Sequence, residues 1–143
     1  MTDAAPLGPS RASSCRLGAA VLYVEDHEAD VALMEDYLGG LDAVSLSVAA
    51  SIEHAIESAR RAAPSIVLLD VGLVGEPGGI ERLARFRALP EMRDVLVIGL
   101  SGTAHPRARA LARHLGFHRF VAKPIDLTVL GDALSSVVPS AAE

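Results

Sequence analysis

The segment SIVLLD, residues 65–70, decides how this chain reads: a short apolar run, rich in branched side chains, ends abruptly on a carboxylate. Apolar character without polar alternation is what a strand covered on both faces requires. Four further runs follow the same form: AAVLYV at 19–24, VSLSVA at 44–49, VLVIGL at 95–100 and RFVA at 119–122. Between them apolar residues recur at helical spacing. These are Val31, Met34, Leu38 and Leu41; Ile52, Ala55, Ile56 and Ala59; Ile80, Leu83 and Phe86; Ala108, Leu111, Ala112 and Leu115; and Leu127, Leu130, Leu134 and Val137. Strands alternating with helices over short connections predict an α/β fold, a doubly wound parallel sheet of five strands with five helices. Punctuation agrees: Ser51 and Asp126 suit N-caps, Pro106 a first helical turn and Gly116 a helix end. VSLSVA alternates polar and apolar residues, as a strand nearer the sheet edge does.

Outside these runs the chain offers little room. Residues 1–17 are rich in Ala, Ser, Pro and Gly without periodicity and read as a flexible leader, 18–139 as one domain and 140–143 as a tail. A chain of 143 residues, half of them hydrophobic, supports a single core without metal or disulfide staples, and Cys15, the one cysteine, has no internal partner. No apolar run approaches the ~20 residues of a membrane span, and no basic segment followed by an apolar one opens the chain. A cytoplasmic protein without membrane attachment is expected. A net charge of -5 without a basic stripe argues against direct nucleic-acid binding.

Ligands of an open parallel sheet bind beyond the carboxyl ends of its strands, where strand order reverses. The first strand ends in Glu25 and Asp26, the third in Asp70, the fourth in Ser101 and Gly102, and the fifth in Lys123 and Pro124, whereas the second ends in Ala49 and Ala50. If the second strand lies outside the first, the polar ends are contiguous. Crowded carboxylates repel, and a cation relieves them. Oxygen donors without a Cys or His set select a hard ion, Mg2+. Beside a lysine and a serine, such a site is suited to phosphoryl transfer, with Asp70 as nucleophile and Lys123 and Ser101 holding phosphoryl oxygens.

VLYVED, IVLLD, VIGLSG and FVAKPI together resemble the four signature segments of CheY-like receiver domains of bacterial two-component response regulators, over about residues 19–138. The resemblance implies the flavodoxin-like strand order 2-1-3-4-5 and a reversible phosphoryl group on Asp70, taken from a sensor histidine kinase or a histidine phosphotransfer protein. It implies Mg2+ as cofactor, with Asp26 and Asp70 as ligands, Glu25 acting through water and the carbonyl of Gly72 completing the set. It makes Ser101 the hydroxyl switch, Phe120 the rotating aromatic and Lys123 the phosphate contact, with a cis Lys123-Pro124 bond. The implied output is binding to a protein effector or a homodimer formed on phosphorylation; with no output segment after the last helix, a stand-alone component is expected rather than an enzyme.

The chain also departs from that pattern. Val74 replaces a common proline, and GLVGEPGGIE carries an extra residue, placed between Gly75 and Gly79, which puts the start of the third helix in question. His27 follows the acidic pair, where an imidazole would alter the pH response of a metal site. Gly72 and Thr103, near the pocket mouth, are expected to control water access. Plainer readings compete: Asp70 and Ser101 as helix caps, Glu25 and Asp26 as a solvated turn, Phe120 as core, His114 and His118 as surface histidines. The glycine loop and Val74 also suit a pseudo-receiver that binds partners without phosphorylation. A haloacid-dehalogenase-type phosphatase needs a second aspartate two residues after the nucleophile, where this chain has Gly72. HEADV, residues 27–31, lacks the second histidine of a zinc-protease helix.

Overall fold

The computed structural model describes residues 19–41, 44–102 and 106–137. The expectations for the leader, for Thr103 and for the tail lie outside these residues. The elements run β1 (Ala19–Val24), α1 (Glu28–Gly39), β2 (Val44–Ala49), α2 (Ile52–Arg61), β3 (Ile66–Asp70), α3 (Gly79–Ala88), β4 (Leu96–Ser101), α4 (Pro106–His114), β5 (Arg119–Ala122) and α5 (Leu127–Val137). A one-turn helix, Val71–Val74, and a 3-10 turn, Pro90–Met92, interrupt the connections on either side of α3. All strand pairs are parallel and the order is β2-β1-β3-β4-β5. The expected fold is present, with β2 at the edge and the reversal of strand order between β1 and β3.

Alternation along each strand sorts the side chains into two cores. Leu22, Val24, Val67, Leu69 and Val97 face α2 and α3, together with Phe86 and Phe117. Val21, Tyr23, Ile66, Leu68, Ile98, Leu100 and Val121 face α1 and α5, against Met34, Leu38 and Leu130. The central strand β3 is buried from Ile66 to Leu69, so its apolar run has a partner on each side of the sheet. Each such fully buried side chain stabilises the fold by roughly 1.5–3 kcal/mol relative to exposure. The two-sided burial commits strand register, because a one-residue slip would exchange the faces.

Local signals behave as their chemistry requires. Ser51 accepts the His54 N–H at 3.1 Å, and Asp126 Oδ1 accepts from Thr128 N at 2.9 Å and Val129 N at 3.3 Å. Gly116 follows α4 with φ +95°, a left-handed value suited to glycine. The helical spacing overreaches at Leu41. Helix α1 stops at Gly39, the chain turns through Gly40, and Leu41 is left exposed, because consecutive glycines favour ending the helix over continuing its apolar stripe. Both expected surface histidines are exposed, yet His118 does more than face water. Its Nδ1 accepts the Val97 N–H at 3.0 Å while its own N–H donates to the Val97 carbonyl at 2.8 Å, extending the β4–β5 pairing by one step. Among the described residues, no helix is long and apolar enough to cross a membrane.

Candidate phosphoryl-acceptor site

Each strand-end residue arrives at the carboxyl edge by continuing a ladder. Glu25 extends β1 by donating its N–H to the Ala49 carbonyl at 2.9 Å, and Lys123 extends β5 by donating to the Ser101 carbonyl at 3.0 Å. Asp70 is the last residue of β3, across the strand-order reversal from Glu25 and Asp26. Carboxylate oxygens of Glu25, Asp26 and Asp70 lie within 4.8 Å of one another. The donor set is oxygen only, three carboxylates converging on one edge, and it fits a hard divalent ion.

The three carboxylates are not equivalent. Asp26 is exposed, Asp70 is partly buried, and Glu25 is 1% exposed. Buried charge needs donors, and Glu25 has three. Its Oε1 accepts from the Tyr23 hydroxyl and from Lys123 Nζ, each at 3.0 Å, and its Oε2 accepts from His27 N at 3.3 Å. Burial, followed by the charge of Asp70, still holds the Glu25 carboxyl above its ordinary pKa, although Lys123 pulls it down. Burial also raises the Tyr23 hydroxyl far above the usual phenol range, with the Glu25 charge adding to it, so Tyr23 remains a donor.

Lys123 Nζ sits 3.0 Å from Glu25 Oε1, 3.1 Å from Asp30 Oδ2 and 3.6 Å from Asp70 Oδ1. Burial alone would lower its pKa, but the hydrogen bond to Glu25, the charge of Asp70 and the hydrogen bond to Asp30 outweigh it, and the ammonium is held above its ordinary value. It is therefore a fixed positive charge at neutral pH. Asp70 accepts the Gly72 N–H at 3.0 Å, so it caps the Val71–Val74 turn and faces the lysine at once. The Gly72 carbonyl receives the Gly75 N–H at 3.2 Å, which occupies one of its two lone pairs.

Ser101 is buried, and its hydroxyl donates to the Gly102 carbonyl at 3.0 Å. Phe120 pairs with Gly99 across β4 and β5, with its ring stacked on Phe117 at a centroid distance of 5.6 Å and the Arg113 guanidinium of α4 5.2 Å from its centre. A Cβ on Gly99 would meet both rings at 2.8 Å, so the stack exists because that position has no side chain. In the glycine loop, Gly78 takes φ +77° and α3 begins at Gly79. A Cβ on Gly79 would collide with the carbonyl oxygens of Val74 and Leu73. The extra residue is thus accommodated by a tight return over the one-turn helix.

Sequence reasoning missed Asp30, Arg113 and Phe117. An acid in the first turn of a helix reads as a partner of the helix dipole, and nothing local connects Asp30 to a lysine on β5. One signal was available for the lysine itself: the chain has twelve arginines and a single lysine, Lys123.

A family model described as the response regulator receiver domain matches residues 21–135. No curated protein matches the chain. Among solved structures, a putative response regulator from Chloroflexus aurantiacus is 22% identical, with a TM-score of 0.73 over 85% of this chain and 98% of its own. The receiver domain of the sensor histidine kinase PA1611 from Pseudomonas aeruginosa, which has magnesium coordinated in its active-site cleft, is 25% identical, with a TM-score of 0.70 over 86% of this chain and 99% of its own. The Saccharomyces cerevisiae receiver domain of Ssk1, crystallised with the phosphotransfer protein Ypd1, is represented by a match of 18% identity and TM-score 0.71, covering 85% of this chain and 89% of the other.

Proposed function

Because this chain belongs to the response regulator receiver domain family, we propose that Asp70 accepts a phosphoryl group and that the resulting charge switches binding to a protein effector. The observation that carries the reading is the convergence of the chain's single lysine, from the end of β5, on the carboxylate that ends β3, at 3.6 Å. The donor is a phosphohistidine of a sensor histidine kinase or a histidine phosphotransfer protein. An Asp70 carboxylate oxygen attacks phosphorus, the O–P bond forms as the N–P bond breaks, and the departing imidazole keeps the electron pair and takes up a proton. Lys123 donates to the phosphoryl oxygens, where charge is concentrated in transfer. Glu25 keeps that ammonium aimed inward, and Tyr23 steadies Glu25 from below. A magnesium ion held by Asp26, Asp70 and the Gly72 carbonyl, with Glu25 acting through water, would neutralise the carboxylates and shield Asp70 from an anionic donor.

Switching follows from competition for the Ser101 hydroxyl. An aspartyl phosphate is a stronger acceptor than the neutral Gly102 carbonyl, so the hydroxyl turns toward it and the end of β4 follows. Phe120 and Arg113 link that movement to α4. The surface formed by α4, β5 and α5 is then the one read by an effector or by a second phosphorylated copy.

Incubation with acetyl phosphate and Mg2+ tests the proposal. Intact-mass analysis is expected to show one phosphoryl group in the wild type and none in Asp70→Asn or in EDTA. No incorporation in the wild type would favour constitutive partner binding by the same fold.

A further inference from the structure

We propose that Asp30 is a positioning residue that holds Lys123 in reserve in the unphosphorylated protein and releases it to the phosphoryl group; this rests on the phosphoryl-accepting reading of Asp70. One ammonium has a fixed number of donors to share. Lys123 Nζ has three, and three carboxylates face it, at 3.0 Å (Glu25), 3.1 Å (Asp30) and 3.6 Å (Asp70). The two short contacts use the ammonium on groups other than the acceptor. The third donor faces Asp70 at 3.6 Å, beyond hydrogen-bond distance, so drawing the ammonium onto the several anionic oxygens of a phosphoryl group there lengthens one of the two short contacts.

Burial decides which contact yields. Glu25 is 1% exposed, and withdrawing Lys123 would leave a buried carboxylate with only the Tyr23 hydroxyl and the His27 N–H. Asp30 is 27% exposed on its side chain, so water replaces the lysine there at little cost. Asp30 also has a substitute neighbour: the same Oδ2 lies 3.3 Å from Nδ1 of His27, whose side chain is 66% exposed. Glu25 is thus the permanent anchor of Lys123 and Asp30 the partner that can be exchanged. Because Asp30 lies on the first turn of α1, the exchange also changes what holds that turn to β5.

The composition of the chain makes the test direct. With a single lysine, protein grown with side-chain-labelled lysine gives one Nζ resonance, that of Lys123. Asp30→Asn is nearly isosteric and sits at a partly exposed position. Without ligand, the Nζ resonance of Asp30→Asn is expected to differ from that of the wild type. After saturation with Mg2+ and beryllofluoride, which mimics the phosphoryl group, the two resonances should coincide, because Lys123 has left residue 30 in both. Beryllofluoride should also bind the variant about two- to fivefold more tightly, the range expected for removing a competing, partly exposed ion pair. Identical resonances in the free proteins, a difference that persists in the bound state, or unchanged or weaker binding would overturn the role of Asp30. A wild-type resonance that ignores beryllofluoride altogether would instead overturn the phosphoryl-accepting reading, and this proposal with it.

Discussion

Among the described residues of the site, Glu25 and Lys123 form the contact in which a fully buried carboxylate meets its counter-ion. Lys123→Ala leaves Glu25 buried without its cation. The loss is expected to be about 2–3 kcal/mol, somewhat below the ~3–5 kcal/mol of a completely buried pair because Lys123 is one-fifth exposed; urea unfolding at neutral pH measures it. Glu25 also predicts a pH dependence. Its folded-state pKa lies above the ordinary 4.5, first through burial and then through Asp70, so the folded chain binds that proton more tightly than the unfolded chain does. Its contribution to stability is complete below pH 4.5 and is lost as pH rises through the higher folded-state value. Stability of the wild type in EDTA, taken relative to Glu25→Gln, should therefore fall as pH climbs from 4.5 toward neutrality. A relative rise would mean that Lys123 outweighs burial and Asp70. Most of these residues were legible because each ends an apolar run. Asp30 was not, since its contact with Lys123 exists only once the sheet has brought the start of α1 beside the end of β5.

Elements were legible where hydrophobic period and punctuation agreed, as in β3 or at Ser51, and less so where glycine governs the backbone. The Val71–Val74 helix was not foreseen, because Gly72 and Gly75 weaken local helix preference. Asp70 capping and burial of Val71, Leu73 and Val74 supply what propensity lacks. That turn depends on Gly79, whose missing Cβ admits the carbonyls of Leu73 and Val74. Gly79→Ala forces backbone to move and is expected to destabilise the fold by about 3 kcal/mol, at the upper end of overpacking effects. Gly99→Ala instead presses on the rings of Phe117 and Phe120, which can turn aside, and about 1–2 kcal/mol is expected. Chemical denaturation of both variants checks the order: a smaller loss for Gly79→Ala would show that the return to α3 is not tightly set. Phe120 was recognisable as apolar from sequence, but its clamp was not, because stacking on Phe117 and the approach of Arg113 depend on where α4 crosses β5.

For the whole molecule, five parallel strands bring residues from both ends of the domain to one edge, and the electrostatics of that edge link stability to ligands. Removing one repelling carboxylate should stabilise the unliganded fold, so Asp70→Asn is expected to gain about 1 kcal/mol in EDTA. Mg2+ should stabilise the wild type further, by about 2.7 kcal/mol at a hundred times its dissociation constant. Asp70→Asn should gain less at the same concentration, and thermal melts with and without Mg2+ make the comparison. The strand order was an expectation from the family resemblance, with which the apolar end of β2 agrees, while the path of the glycine loop required the folded chain. The most direct test of the central claim is to locate the phosphoryl group itself. After treatment with acetyl phosphate and Mg2+, borohydride reduction converts an aspartyl phosphate to homoserine, which peptide sequencing by mass spectrometry assigns to a position. Homoserine at Asp70 alone is the predicted result; homoserine at Asp26 or Asp30, or none at any aspartate, would contradict it.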